Sequence, residues 1–185
     1  LEKSFLVEGK DYSADRVVNS IVGDSSLQPF VLYPGSASKN LSKICVEEKR
    51  AMLDPSKKPV IFVIDGTWAT ARKMMRSENL RSIPRICFSP EKPSHFRGVR
   101  KQPAPGCVST IEAIHHTLEL FDGVGGIDVS DRRHDALLDV FDVMVQRQLS
   151  FVRELKTTRA TNYRRQRSPG AVESVTRNCP ALIAT

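Results

Sequence analysis

A chain of 185 residues, 40% hydrophobic and 26% charged, has the composition of a soluble globular domain with a sizeable core and excludes a disordered polymer. Its longest purely apolar run, Val60 to Ile64, is too short to span a bilayer, so no membrane association is expected. The formal net charge of +7 is unevenly placed, with six basic side chains against one acidic in residues 156–185.

The chain opens Leu1-Glu2-Lys3-Ser4-Phe5, with no apolar signal core and no initiator Met, which reads as a fragment or a trimmed chain. Cys45, Cys87, Cys107 and Cys179 are widely separated and form no CxxC pair, which argues against a zinc site and a disulfide scaffold. Reduced thiols in the cytosol are the simpler reading, so a cytoplasmic protein is expected.

Taken in order, residues 1–10 form a loose lead-in. A helix is predicted over Tyr12 to Val22, capped by Ser13, with Val17, Val18, Ile21 and Val22 on one stripe. Phe30 to Tyr33 reads as a short strand closed by Pro34-Gly35, and Ser36 to Asn40 as polar loop. Leu41 to Leu53 reads as a helix burying Leu41, Ile44, Cys45 and Met52.

The central stretch is Pro59 to Arg76. Five consecutive β-favouring residues without alternation suit a central strand of a parallel sheet, buried on both faces. Gly66 allows a tight turn, and Thr67 can cap a helix from Ala69 onward. Asp65 then stands at the carboxyl end of the strand, where open α/β sheets bind ligands. Capping the next helix is the plainer role for the same residue.

Arg85 to Phe88 is a third strand. The segment from Ser89 to Gly106 contains Pro90, Pro93, Pro103 and Pro105 and cannot be regular structure. It carries His95, Phe96, Arg97, Arg100 and Lys101, a mix suited to RNA phosphates and bases, although a surface excursion would look the same. Residues 72–101 hold nine basic side chains, among them Arg72 and Lys73, against the two acids Glu78 and Glu91. That cluster fits either a phosphate-rich partner or a solvated basic face.

Ser109 and Glu112 form a capping box for a helix whose predicted buried face is Ile111, Ile114, Leu118 and Phe121. His115 and His116 are adjacent and point about 100° apart, so they cannot be the i,i+4 pair that a helical metal site needs. Both are read as non-catalytic, and no metal site is predicted. Gly123 to Ser130 is a connector. A long amphipathic helix follows from Asp131 to about Leu155, with Leu137, Leu138, Phe141, Met144, Val145, Leu149 and Val152 as its apolar side. The expected organisation is one domain over 1–155 and a basic, flexible tail over 156–185.

Asp65-Gly66-Thr67-Trp68 resembles the DxTW signature of the DTW-domain proteins, which belong to a superfamily of aminocarboxypropyltransferases acting on tRNA and ribosomal RNA. Phe30 to Gly35, Ala71 to Met74, Pro84-Arg85, Pro93 to Arg97 and Ser109 to Ala113 stand in the family's order and spacing, so the resemblance covers about residues 27–150. Relatives often carry an N-terminal cysteine cluster that resembles a zinc site, and none stands here.

The resemblance implies a SPOUT-like α/β fold, a parallel sheet flanked by helices with a C-terminal trefoil knot. It also implies transfer of the 3-amino-3-carboxypropyl group of S-adenosylmethionine to N3 of a uridine in tRNA. On that reading Asp65 is the base. Leu32, Tyr33, Pro34, Ile64, Ile86 and Phe88 form the apolar walls of the donor site. Ser109 and Thr110 touch the donor or merely cap, and Trp68 packs its helix. Arg72, Lys73, Arg97, Arg100 and Lys101 grip the tRNA. Two alternatives stay open: a SPOUT-type RNA methyltransferase with the same donor, and a basic RNA-binding module without chemistry.

Overall fold

In the computed structural model three apolar runs become the strands β1 (Leu27–Leu32), β3 (Lys58–Val63) and β4 (Arg85–Cys87), while polar Lys39–Asn40, expected in a loop, forms the short strand β2 by pairing with β4. The structure describes residues 4–99, 102, 104 and 106–158, the last four by backbone alone. All pairings are parallel, in the order β2-β4-β1-β3. The β1–β3 ladder runs from Leu27 opposite Lys58 to Leu32 opposite Val63. Among the described residues the internal strands are therefore β4 and β1, and β3, expected to be central, lies at an edge. Expected to be buried on both faces, its apolar residues are only half-buried, with Phe62 packed on one core layer and Ile61 on the other, and one lateral side has no strand among the described residues.

Alternation along β1 builds two core layers. Val31 points to one face and packs among Val18, Met74, Met75, Leu80 and Ile83, with Phe62 and Ile64 joining from the β3 side. Phe30 points to the other and meets Leu41, Ile86, Phe121 and Val124. The first layer is covered by α1 (Arg16–Gly23), α3 (Trp68–Met74) and α4 (Glu78–Ser82), the second by α2 (Val46–Met52) and the end of α5 (Thr110–Leu120).

Several element ends differ from expectation for local reasons. Asp15, not Ser13, caps α1 by accepting from the Val18 amide at 2.9 Å. The Ser13 hydroxyl is engaged with Asp11 and with the Glu78 amide. The helix expected over Leu41 to Leu53 breaks after a 3-10 turn, Leu41–Lys43, and restarts behind a Cys45–Glu48 capping box. Asn40 and Ser42 are held by Ser89 at the far end of β4, which fixes the break. Between α3 and β4, Glu78–Ser82 forms the short helix α4.

A long helix α6 (Ala136–Thr158) closes the described chain after a 3-10 turn at Arg133–Asp135. Arg132 takes a left-handed backbone, φ 57°, and its guanidinium reaches Asp135 at 2.8 and 2.9 Å and Glu119 at 2.6 Å. That grip, with a further bond from His115, holds the Asp135 carboxyl down to about 2. Of the apolar side predicted for α6, Phe141 and Val145 are buried, Leu137, Leu138 and Leu149 half-buried, and Met144 and Val152 exposed. The flexible tail expected over 156–185 lies outside the described residues but for the backbone of the last turn of α6. Among the described residues, no helix is long and apolar enough to cross a membrane.

Candidate functional site

At the carboxyl ends of β1, β3 and β4 the sheet opens into a cleft of about 760 Å³, its solvent-facing mouth included. One wall comes from the strand ends, with Leu32, Tyr33 and Pro34 after β1, Val63, Ile64 and Gly66 after β3, and Cys87 and Phe88 after β4. The facing wall is the segment Gly106 to Thr110 and the first turn of α5. Trp68 and Ala71 of α3 close one end, and Trp68 also packs on Ala104 and Cys107, so its packing role and the cleft coincide.

The turn between β3 and α3 explains how Asp65 is presented. Gly66 has φ 149°, a conformation that side-chain-bearing residues rarely adopt. Thr67 then caps α3, its hydroxyl accepting from the Thr70 amide at 3.2 Å. Asp65 is thus spared the capping role. Its exposed carboxylate is not itself among the cleft-lining residues, but it accepts a hydrogen bond at 2.6 Å from the hydroxyl of Thr110, which is.

The network continues behind Thr110. Ser109 caps α5 and Glu112 completes the box, its carboxylate accepting from the Ser109 amide at 2.7 Å. The same carboxylate accepts from the Ser94 hydroxyl and the His95 amide, each at 2.7 Å. Burial alone would push the Glu112 pKa up, but these hydrogen bonds outweigh it and hold the group below the ordinary glutamate value. The 3-10 turn His95–Gly98 is fixed on its other side to α6, by a 2.6 Å contact of His95 Nδ1 with Asp142 and by Phe96 against Phe141. Three sequence blocks, around Asp65, Ser94 and Thr110, therefore meet at one place.

Seven of the eight residues expected to hold a donor line the cleft: Leu32, Tyr33, Pro34, Ile64, Phe88, Ser109 and Thr110. Ile86 does not. It is fully buried beside Phe30 and Phe121, because alternation along β4 sends it into the core layer. Of the basic residues, Arg72 is half-buried and Lys73 exposed on α3, while Arg97 is exposed in the 3-10 turn. Arg100 and Lys101 lie outside the described residues.

Sequence reasoning missed Val63, Ala71, Cys87, Cys107 and Ala113 as lining residues. Burial pushes the Cys87 and Cys107 thiols up, so both act as small apolar wall residues. His116, read as non-catalytic, packs on Phe88 at 5.3 Å between ring centroids. Burial and then the neighbouring His115 push its pKa down, which favours the uncharged ring.

The family model of the DTW domain matches residues 1–149 of this chain. The chain is 25% identical over 114 residues to tRNA-uridine aminocarboxypropyltransferase 2 of Mus musculus, covering 62% of this chain and 36% of that protein. To tRNA-uridine aminocarboxypropyltransferase 2 of Macaca fascicularis it is 27% identical over 92 residues, covering 50% of this chain and 29% of that protein. The alignments thus span about a third of those relatives' own length. No solved structure matches the chain.

Proposed function

The chain belongs to the DTW-domain family, and from that premise we propose that it transfers the 3-amino-3-carboxypropyl group of S-adenosylmethionine to N3 of a uridine in tRNA. The observation that carries this reading is the apolar cleft at the strand ends, with the exposed carboxylate of Asp65 hydrogen-bonded to Thr110 of its lining. The SPOUT-like connectivity and the C-terminal knot belong to the same reading; insertion of β4 between β1 and β2 is compatible with them. So does a cytosolic location.

When bound, the donor supplies a sulfonium that activates its aminocarboxypropyl chain. The residues present fit such a molecule. Leu32, Tyr33, Ile64 and Phe88 offer apolar surface to the adenosine and the methyl group, and the first amides of α5 offer partial positive charge to a carboxylate. Asp65 accepts the N3 proton of the uracil as the N3–carbon bond forms and the sulfur–carbon bond breaks, releasing methylthioadenosine. Thr110 holds the carboxylate in place for that step. The decisive experiment supplies tRNA with S-adenosylmethionine labelled in turn at the carboxyl carbon and at the methyl carbon. Carboxyl label should enter the RNA, whereas methyl label there would make the protein a methyltransferase. Binding of RNA with neither label transferred would leave a module without chemistry.

On this reading the tRNA lies over the basic loop and α3. Neutralising Arg97, Arg100 and Lys101 together should weaken tRNA binding and flatten its salt dependence by roughly 0.7–0.9 log units of slope per lost phosphate contact. Donor affinity should stay as it was. A salt slope equal to that of the parent would move the RNA surface away from this loop.

A further inference from the structure

Behind the cleft, on the side of α5 away from Asp65, four chemistry-bearing side chains converge. His115 and Glu119 stand one turn apart on α5, and His134 and Asp135 come from the 3-10 turn before α6. One donor atom from each lies within 4.8 Å of all the others. The rings of His115 and His134 stack at 4.6 Å, and their side chains are only 9% and 5% exposed. His115 Nε2 is 2.8 Å from Asp135 Oδ1 and 3.8 Å from Glu119 Oε1, while His134 Nε2 is 2.7 Å from Glu119 Oε1 and 3.6 Å from Asp135 Oδ1. Sequence spacing excluded a His115–His116 pair, but the fold supplies different partners.

We propose that His115, Glu119, His134 and Asp135 form a binding site for a divalent transition cation of the Zn²⁺ class. Four donors about 2.0–2.2 Å from a tetrahedral metal stand roughly 3.3–3.6 Å apart, and the four contacts above straddle that separation. Two imidazoles and two carboxylates suit a borderline cation and neutralise its charge. Neither His115 Nδ1 nor His134 Nδ1 has a hydrogen-bond partner among the described residues. Nothing on the far side of either ring therefore dictates its tautomer, and each Nε2 can serve either as N–H donor to a carboxylate or as lone-pair donor to a cation. Arg132 supplies the positive charge beside the two carboxylates, and its side chain is 53% exposed, so it can swing out as a cation enters. With all four donors from the protein, the site is structural. It joins the middle of α5 to the start of α6 and steadies the helix that carries Thr110.

The test is Co²⁺ titration of the purified, chelator-stripped chain, read by visible absorption and thermal melting. One Co²⁺ per chain is expected, with the intense bands of four-coordinate cobalt and a melting temperature that rises with Co²⁺ concentration. Both signals should vanish in Glu119→Gln and in His134→Asn proteins that still fold by circular dichroism. Arg132→Ala removes the resident cation from the exposed side and should tighten Co²⁺ binding roughly tenfold, a readout that needs neither core variant to fold. Absence of Co²⁺ uptake, uptake that survives Glu119→Gln, or an Arg132→Ala protein that binds no more tightly than the parent would each overturn the proposal.

Discussion

Asp65→Asn protein is expected to melt like the parent and to bind S-adenosylmethionine with the same affinity, yet to turn over about 10²- to 10⁴-fold more slowly. The geometry makes this substitution unusually clean. Thr67 rather than Asp65 caps α3, so no helix start is at stake. Asn keeps an oxygen to accept from the Thr110 hydroxyl, so that bridge survives. What Asn loses is the capacity to take a proton. Steady-state turnover on saturating tRNA, with melting and donor binding measured on the same preparation, separates the roles. Near-parent turnover would reduce Asp65 to an anchor for α5 and remove it from the chemistry.

The second large effect is expected at Glu112. Its carboxylate accepts three hydrogen bonds from outside its own helix turn or at its cap, from Ser94, His95 and Ser109, and is almost fully buried. Glu112→Gln replaces one acceptor oxygen by a donor and sets an NH₂ against a buried N–H or O–H. The expected loss is about 2–4 kcal/mol of stability, equivalent to a melting temperature lower by roughly 4–16 °C for a chain of this size. Because the folded-state pKa of Glu112 is depressed, its contribution is fully present above the unfolded value of 4.5 and is lost as pH falls through the folded value. The parent should therefore lose stability steeply in acid, and Glu112→Gln should lose less over the same interval. Parallel pH–stability curves for the two proteins would show that the carboxylate is not what ties residues 94–98 to α5.

Much of this arrangement was legible in residue order. The apolar run Val60 to Ile64, the turn at Gly66 and the Thr67 cap placed Asp65 at a strand end, and the Ser109–Glu112 box started α5 where expected. Periodicity failed where long-range polar contacts decide. Ser94 and Glu112 are 18 residues apart with no local pattern linking them, yet their hydrogen bond determines where the loop lies. Ile86 carried the composition of a wall residue, but alternation along a three-residue strand turned it inward. The edge position of β3 was also hidden, since an apolar run reports covered faces and says nothing of lateral neighbours. His115 and His134 were unreadable for a related reason, because their partners meet only when the turn before α6 folds back on α5.

The edge position of β3 has a consequence for self-association. An unpaired strand offers a row of amides and carbonyls on which a second chain can add a strand. In β3 the Lys58 amide bonds to Ser26 at 2.9 Å, so Lys58, Val60 and Phe62 point their backbone groups toward β1, while Pro59, Ile61 and Val63 point outward. The proline thus sits in the outward set, where it costs the sheet no internal hydrogen bond and leaves the open edge one donor short. Lys58 adds a charge beside it. The strand that presents Asp65 is blunted at its amino end, so among the described residues its outward row keeps the amides of Ile61 and Val63 but lacks one at position 59.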